Sequence, residues 1–230
     1  MTNNRHQRAD YDSCSADYDK RYAAGPTGVT EILQTLAART GARTILEAAC
    51  GTGHWLAQLQ GCPQKFGLDL SQGMLRQAGQ KGGGLNLVRG DAARMLLRPG
   101  GALAVIGMDP HRNRDRWYVY DYFTGTHETG LVRYPSTENL VRVMREEGLE
   151  GCTLMQGATL HYDFRGDEVF ADPILHKNGV SQLALLPLDE FSEGMKRIRQ
   201  AIAAAGKKGE RIVFPAHITL PAVVGFAPRL

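Results

Sequence analysis

The chain has 230 residues, 43% hydrophobic and 22% charged, which suits one domain with a sizeable core and room for a small cap. A formal charge of +3, with Lys and Arg spread out apart from short pairs such as Lys207 and Lys208, lacks the dense basic stripe of a nucleic-acid surface. The first 24 residues are polar with no apolar signal core, and no later apolar run is long enough to cross a bilayer, so a soluble, cytoplasmic protein without a membrane partner is expected.

Cys14, Cys50, Cys62 and Cys152 form no CxxC pair and have no His at metal-ligand spacing, so neither a metal site nor a disulfide framework is expected. Reduced thiols fit a cytoplasm. The 27 glycines fall mostly between periodic segments, as alternating strands and helices require.

In chain order, residues 28 to 39 place Val29, Ile32, Leu33 and Leu36 at helical spacing, and Gly41 ends the helix. Residues 44 to 49 read as a short buried strand, followed by the turn Cys50-Gly51-Thr52-Gly53 and a helix through Leu59. A second strand at Phe66 to Leu70, a helix at Gln72 to Gln80 and a third strand at Leu85 to Arg89 make two right-handed βαβ units of a parallel sheet. A short helix is expected over Ala92 to Leu97, then a Pro99-Gly100-Gly101 turn and a buried strand from Ala102 to Met108. Pro135 and Ser136 open a further helix that Gly148 stops, with Leu140, Val143 and Met144 inward. The remainder predicts a strand over Thr153 to Tyr162, a helix over Asp189 to Ala205, and a last strand within Arg211 to Phe226.

The turn in TILEAACGTG lets a ligand approach the backbone where amide N–H groups are unpaired. A dinucleotide fingerprint would want a third glycine where Leu56 stands, and nothing matches a P-loop. Residues 44 to 53 instead resemble the first motif of class I S-adenosylmethionine (SAM)-dependent methyltransferases: a strand, an acidic residue, then GxGxG. Glu47 takes the acidic position, Gly51 and Gly53 match the last two glycines, and Ala49 replaces the first.

By this resemblance Glu47 orients the cofactor's amino group, and Ala49, Cys50, Gly51, Thr52 and Gly53 form the cradle. Asp69, ending the second strand, is the family's ribose ligand, a carboxylate able to accept both hydrogen bonds of a diol. Leu70 and Met74 would pack on the adenine or ribose edge, and Asp91 and Ala92 resemble the family segment that meets the adenine amino group. Tyr11 and Tyr18 resemble its opening segment, which folds over the cofactor.

The implied fold is α/β: a Rossmann-like methyltransferase sheet, mostly parallel with an antiparallel last strand, and helices on both faces. It would form a single domain, with cap helices in 1 to 43, a cofactor half in 44 to 108, a substrate or lid loop in 109 to 135, and a cap insertion in 163 to 209.

One departure stands out. Only seven residues separate Asp91 from Pro99, where the family has a fourth strand and its helix, roughly 30 residues by the size of a βαβ unit. Either the chain crosses directly, so that Ala102 to Met108 takes the vacant place beside Thr44 to Ala48, or a seven-stranded ancestor is seen with a gap.

On the substrate side, Trp117, Tyr118, Tyr120, Tyr122 and Phe123 could form an aromatic lid or fill the core. His111, His127 and Glu128 are candidate proton acceptors. The implied function is SAM-dependent methyl transfer to a small-molecule acceptor. The alternative is a non-catalytic SAM-binding or methyltransferase-like interaction protein with an incomplete pocket. Nothing in the sequence sets the oligomeric state.

Overall fold

The computed structural model describes residues 10 to 22, 28 to 92 and 97 to 229. The first half alternates helix and strand: α1 (Val29–Thr40), β1 (Thr44–Ala48), α2 (His54–Gln58), β2 (Gln64–Asp69), α3 (Gln72–Gln80) and β3 (Leu85–Arg89). The three strands form a parallel sheet in the order β1-β2-β3, with Glu47 opposite Gly67 and Asp69 opposite Arg89. Parallel pairing carries every strand's C-terminal end to the same edge, so the turn after β1 and Asp69 at the end of β2 become neighbours.

The second half is built on β7 (Val213–Phe226). β4 (Ala102–Ile106) and β5 (Arg116–Trp117) pair with one edge of β7, and β6 (Glu150–Arg165) with the other, all antiparallel. A bulge between Met155 and Ala158 keeps even-numbered residues of β6 and β7 on one face through the long ribbon that follows. That face is covered by α4 (Tyr118–Tyr122) and α8 (Leu188–Gly206). Trp117, Tyr118, Phe123, Phe214 and Ile198 are almost fully buried there. α6 (Thr137–Glu146), capped by the Ser136 hydroxyl accepting from the Asn139 N–H at 3.1 Å, covers Val223 on the other face. α5 (Thr126–Arg133), the single turn α7 (Ser181–Ala184) and 3₁₀ helices at Tyr18–Tyr22 and Gly166–Ala171 complete the described helices.

Two expectations change. β4 pairs with β7 and, among the described residues, not with β1, so the described strands form two sheets rather than one continuous one. The apolar run of β4 fits burial in either place, and only the hydrogen-bonded partner distinguishes them. The span 109 to 135 holds β5, α4 and α5 in place of an irregular loop. Its aromatics are core: Trp117, Tyr118 and Phe123 are within 1% of full burial and Tyr120 is 7% exposed, which rules out a lid made of these four. The short helix expected over Ala92 to Leu97, and the continuity of the chain between Asp91 and Pro99, depend on residues 93 to 96, which lie outside the described residues.

Candidate cofactor site

The turn after β1 is shaped by backbone conformations that side chains oppose. Gly51 has φ 53° and Gly53 φ 65°, both left-handed. Ala49, at φ 56°, is the one non-glycine with positive φ among the described residues, so it carries about 1–2 kcal/mol of strain where the resembled motif has glycine. A Cβ on Gly67 of β2 would lie 2.8 Å from Cys50 Sγ, so the bare backbone of Gly67 is what lets the turn sit down on the sheet. Burial pushes the Cys50 thiol up to about 12, which keeps it protonated and removes it as a nucleophile.

Asp69 faces this turn. Its Oδ2 accepts from the Gly51 N–H at 2.8 Å and its Oδ1 from the Ser71 N–H at 2.8 Å. Both oxygens retain further acceptor capacity.

Below lies Glu47, which accepts the Leu56 N–H, while its Oε2 is buried without a hydrogen-bond partner. Burial raises its pKa to about 7, against the pull of the Leu56 N–H and Lys81, with Asp69 adding a smaller push upward. A buried carboxylate oxygen with an unfilled place suits a cationic donor such as an α-ammonium group.

The stretch 10 to 22 closes over the turn. Asp12 Oδ1 accepts from Ser71 Oγ at 2.9 Å and from the Gly73 N–H at 2.5 Å, and these bonds hold its carboxyl below the usual carboxylate range. Asp19 accepts from the Thr52 hydroxyl and pairs with Lys81 at 2.5 Å. The Tyr18 ring comes within 3.8 Å of where a Cβ on Gly51 would stand. Tyr18 also borders an open cavity of about 280 Å³, lined elsewhere by Pro173, His176, Lys177, Asn178 and Gly179. Asn178 donates to Ser13 Oγ at 3.1 Å across it.

Glu47, Ala49, Cys50, Gly51, Thr52, Gly53, Asp69 and Tyr18 thus lie around one turn. Leu70, 43% exposed, stands beside it, and Asp91 and Ala92 follow β3 at the same edge. Met74 is 2% exposed and packed into the core, with its N–H held by Ser71 Oγ, so it offers little open surface.

His111, His127 and Glu128 belong to the second half of the chain. His111 Nε2 is 2.8 Å from the Tyr134 carbonyl, His127 sits edge-on to Tyr120 with a buried, unpartnered Nε2, and Glu128 is exposed on α5. Sequence reasoning gave no role to Asp12, Asp19, Lys81 or Gly67. The alternating Asp residues of the N-terminal stretch are a weak signal, because polar segments of this kind are common and only the fold brings them to Ser71 and Thr52.

Residues 45–117 match the family model of a methyltransferase domain. No curated protein matches the chain. Among solved structures it is similar to a SAM-dependent methyltransferase, possibly a histamine N-methyltransferase, from Thermotoga maritima. The identity is 14%, with 94% of this chain and 97% of that one covered and a TM-score of 0.46. It is also similar to the complex of the Trm112 methyltransferase activator with a methyltransferase from Haloferax volcanii, at 17% identity, 97% and 100% coverage and a TM-score of 0.49. A third is a SAM-dependent methyltransferase from Thiobacillus denitrificans in complex with S-adenosyl-L-homocysteine, at 13% identity, 91% and 97% coverage and a TM-score of 0.37. The acidic residue and the glycine turn after β1 both lie inside the stretch that matches the methyltransferase domain model.

Proposed function

We propose that the protein transfers the methyl group of SAM to a small-molecule acceptor. The observation that carries this reading is the pairing of two carboxylates around one turn. Asp69 is anchored to Gly51 with acceptor capacity left for a ribose diol, and Glu47 is buried with one oxygen unfilled. In this reading Asp69 holds the ribose, Glu47 receives the ammonium of the methionine end, and Leu70, Asp91 and Ala92 border the adenine. Bound SAM supplies an already activated sulfonium methyl, so the chain's own task is alignment and exclusion of water.

Tyr18 and the stretch held by Asp12 and Asp19 cover the turn and keep solvent from it. The acceptor enters from the cavity of about 280 Å³ that shares Tyr18 with the turn, a volume suited to a small molecule. No helix among the described residues is long and apolar enough to cross a membrane, and Cys50, Cys62 and Cys152 are free thiols, in keeping with a cytoplasmic setting.

A second reading has one observation in its favour. Among the described residues, the β1 edge away from β2 and the β4 edge away from β7 have no strand partner, and this is where the family's fourth strand would stand. A domain open there would bind SAM without turnover. Incubation with methyl-labelled SAM and a fractionated small-molecule extract separates the two. Label in an acceptor, lost in Asp69→Ala, supports the transferase; bound SAM with no label in any fraction overturns it in favour of the binding-only domain.

A further inference from the structure

The ribbon formed by β6 and β7 beyond the bulge has one face buried under α4 and α8, while the odd-numbered residues lie on its open face. On that face His161 and His217 are directly opposite one another, and Asp163 follows His161 by two residues on the same side. The imidazole rings stack with centroids 3.6 Å apart at 15°, and His217 Nε2 is 2.9 Å from Asp163 Oδ1. One ligating atom from each of the three lies within 4.8 Å of the others. His217 sits on a strand paired on both sides, with His161 across β6 and Arg116 across β5, so its backbone is fixed before any ligand arrives.

We propose that His161, Asp163 and His217 form a binding site for one divalent transition-metal ion, Zn²⁺ foremost. Two imidazoles and a carboxylate are a donor set that such ions prefer, whereas Mg²⁺ and Ca²⁺ favour oxygen. Tetrahedral Zn²⁺ with bonds of about 2.0–2.1 Å places its donors about 3.4 Å apart. The present spread closes to that by rotation about side-chain torsions alone, because the two histidines already share a cross-strand position.

Three protein ligands leave a fourth position for water or for a ligand atom. Arg116 shares the open face and weakens cation binding there. Thr159 and Thr219, opposite each other beside the histidines, add no charge.

The site is independent of the cofactor turn, and its test uses the whole chain without SAM. Titration with Zn²⁺ in a calorimeter should show one equivalent bound. Titration with Co²⁺ should give visible bands of nitrogen and oxygen ligation without a thiolate charge-transfer band, which excludes the four cysteines as donors. His161→Gln and His217→Gln should each lower Zn²⁺ affinity by about 100-fold and Asp163→Asn by about 10-fold. Zn²⁺ should raise the melting temperature of the parent chain but not of the His161→Gln, His217→Gln double variant, whose metal-free melting curve shows whether it folds. Absence of stoichiometric binding, a thiolate band, or undiminished binding by the folded double variant would overturn the proposal.

Discussion

The two halves of the molecule divide their labour in opposite ways. The antiparallel half holds the aromatic core, with Trp117, Tyr118, Phe123 and Phe214 almost fully buried, whereas the parallel half leaves Leu46 at 50% and Val88 at 52% exposure on its strands. The parallel half instead brings three unfavourable local features to one turn: a left-handed Ala49, a glycine that must stay bare at Gly67, and a buried, incompletely bonded Glu47. The left-handed strain at Ala49 sits in the turn after β1, apart from the aromatic core, which has unpartnered polar atoms of its own at Trp117, Tyr120 and His127. Substitutions in the two halves should therefore be read out by different measurements.

The largest expected effect is in the core. Phe123→Ala removes a buried ring that stacks on Phe191 at 5.5 Å and packs against Gly194, and should cost about 3–5 kcal/mol of stability in urea unfolding. An effect on SAM affinity exceeding that loss of folded protein would break the division between the halves.

Next comes the pH dependence set by Glu47. In the folded chain it holds its proton up to about 7, but in the unfolded chain only to about 4.5, so between these values the folded state carries the extra proton. Stability should fall as pH rises through that window, by up to about 3 kcal/mol, and level off above it. Glu47→Gln should flatten this dependence while weakening SAM binding by about 10- to 100-fold, as loss of a charge-assisted hydrogen bond implies. Proton release on SAM binding near pH 6, present in the parent and lost in the variant, is the calorimetric signature.

Smaller effects sharpen the same contrast. Gly67→Ala pushes a methyl against Cys50 Sγ and should reduce SAM affinity by about 10-fold, more than its cost of about 1–3 kcal/mol in unfolding would explain for a protein that remains folded. Ala49→Gly should be the mildest, relieving the left-handed strain for a gain of up to about 1 kcal/mol in the unfolding midpoint analysis.

The parallel half was legible because its signals are local. Alternating strand and helix periods and the glycine turn after the first strand are each read within a few residues, and α3 forms over Gln72–Gln80 as its spacing predicts. β4 was legible as a strand but not in its partner, since an apolar pentapeptide carries no mark of which edge it will join. The ribbon of β6 runs to Arg165, past the expected Tyr162, because Asp163, Phe164 and Arg165 go on pairing with Pro215, Phe214 and Val213, which lie 50 or so residues away in the chain. The same cross-strand register brings His161 to His217, so no spacing rule over neighbouring residues could place them together. Asp12 reaches Ser71 and Gly73 in the same non-local way.

The central claim is that the Gly51 turn and the Asp69 carboxylate grip an adenosyl ligand. Calorimetric titration of the purified full chain with S-adenosyl-L-homocysteine tests it most directly. One equivalent should bind, SAM should compete for it, and Asp69→Ala should abolish it in a variant whose unfolding curve shows that it still folds. Absence of binding by the folded parent chain, or binding of equal strength by Asp69→Ala, would contradict it.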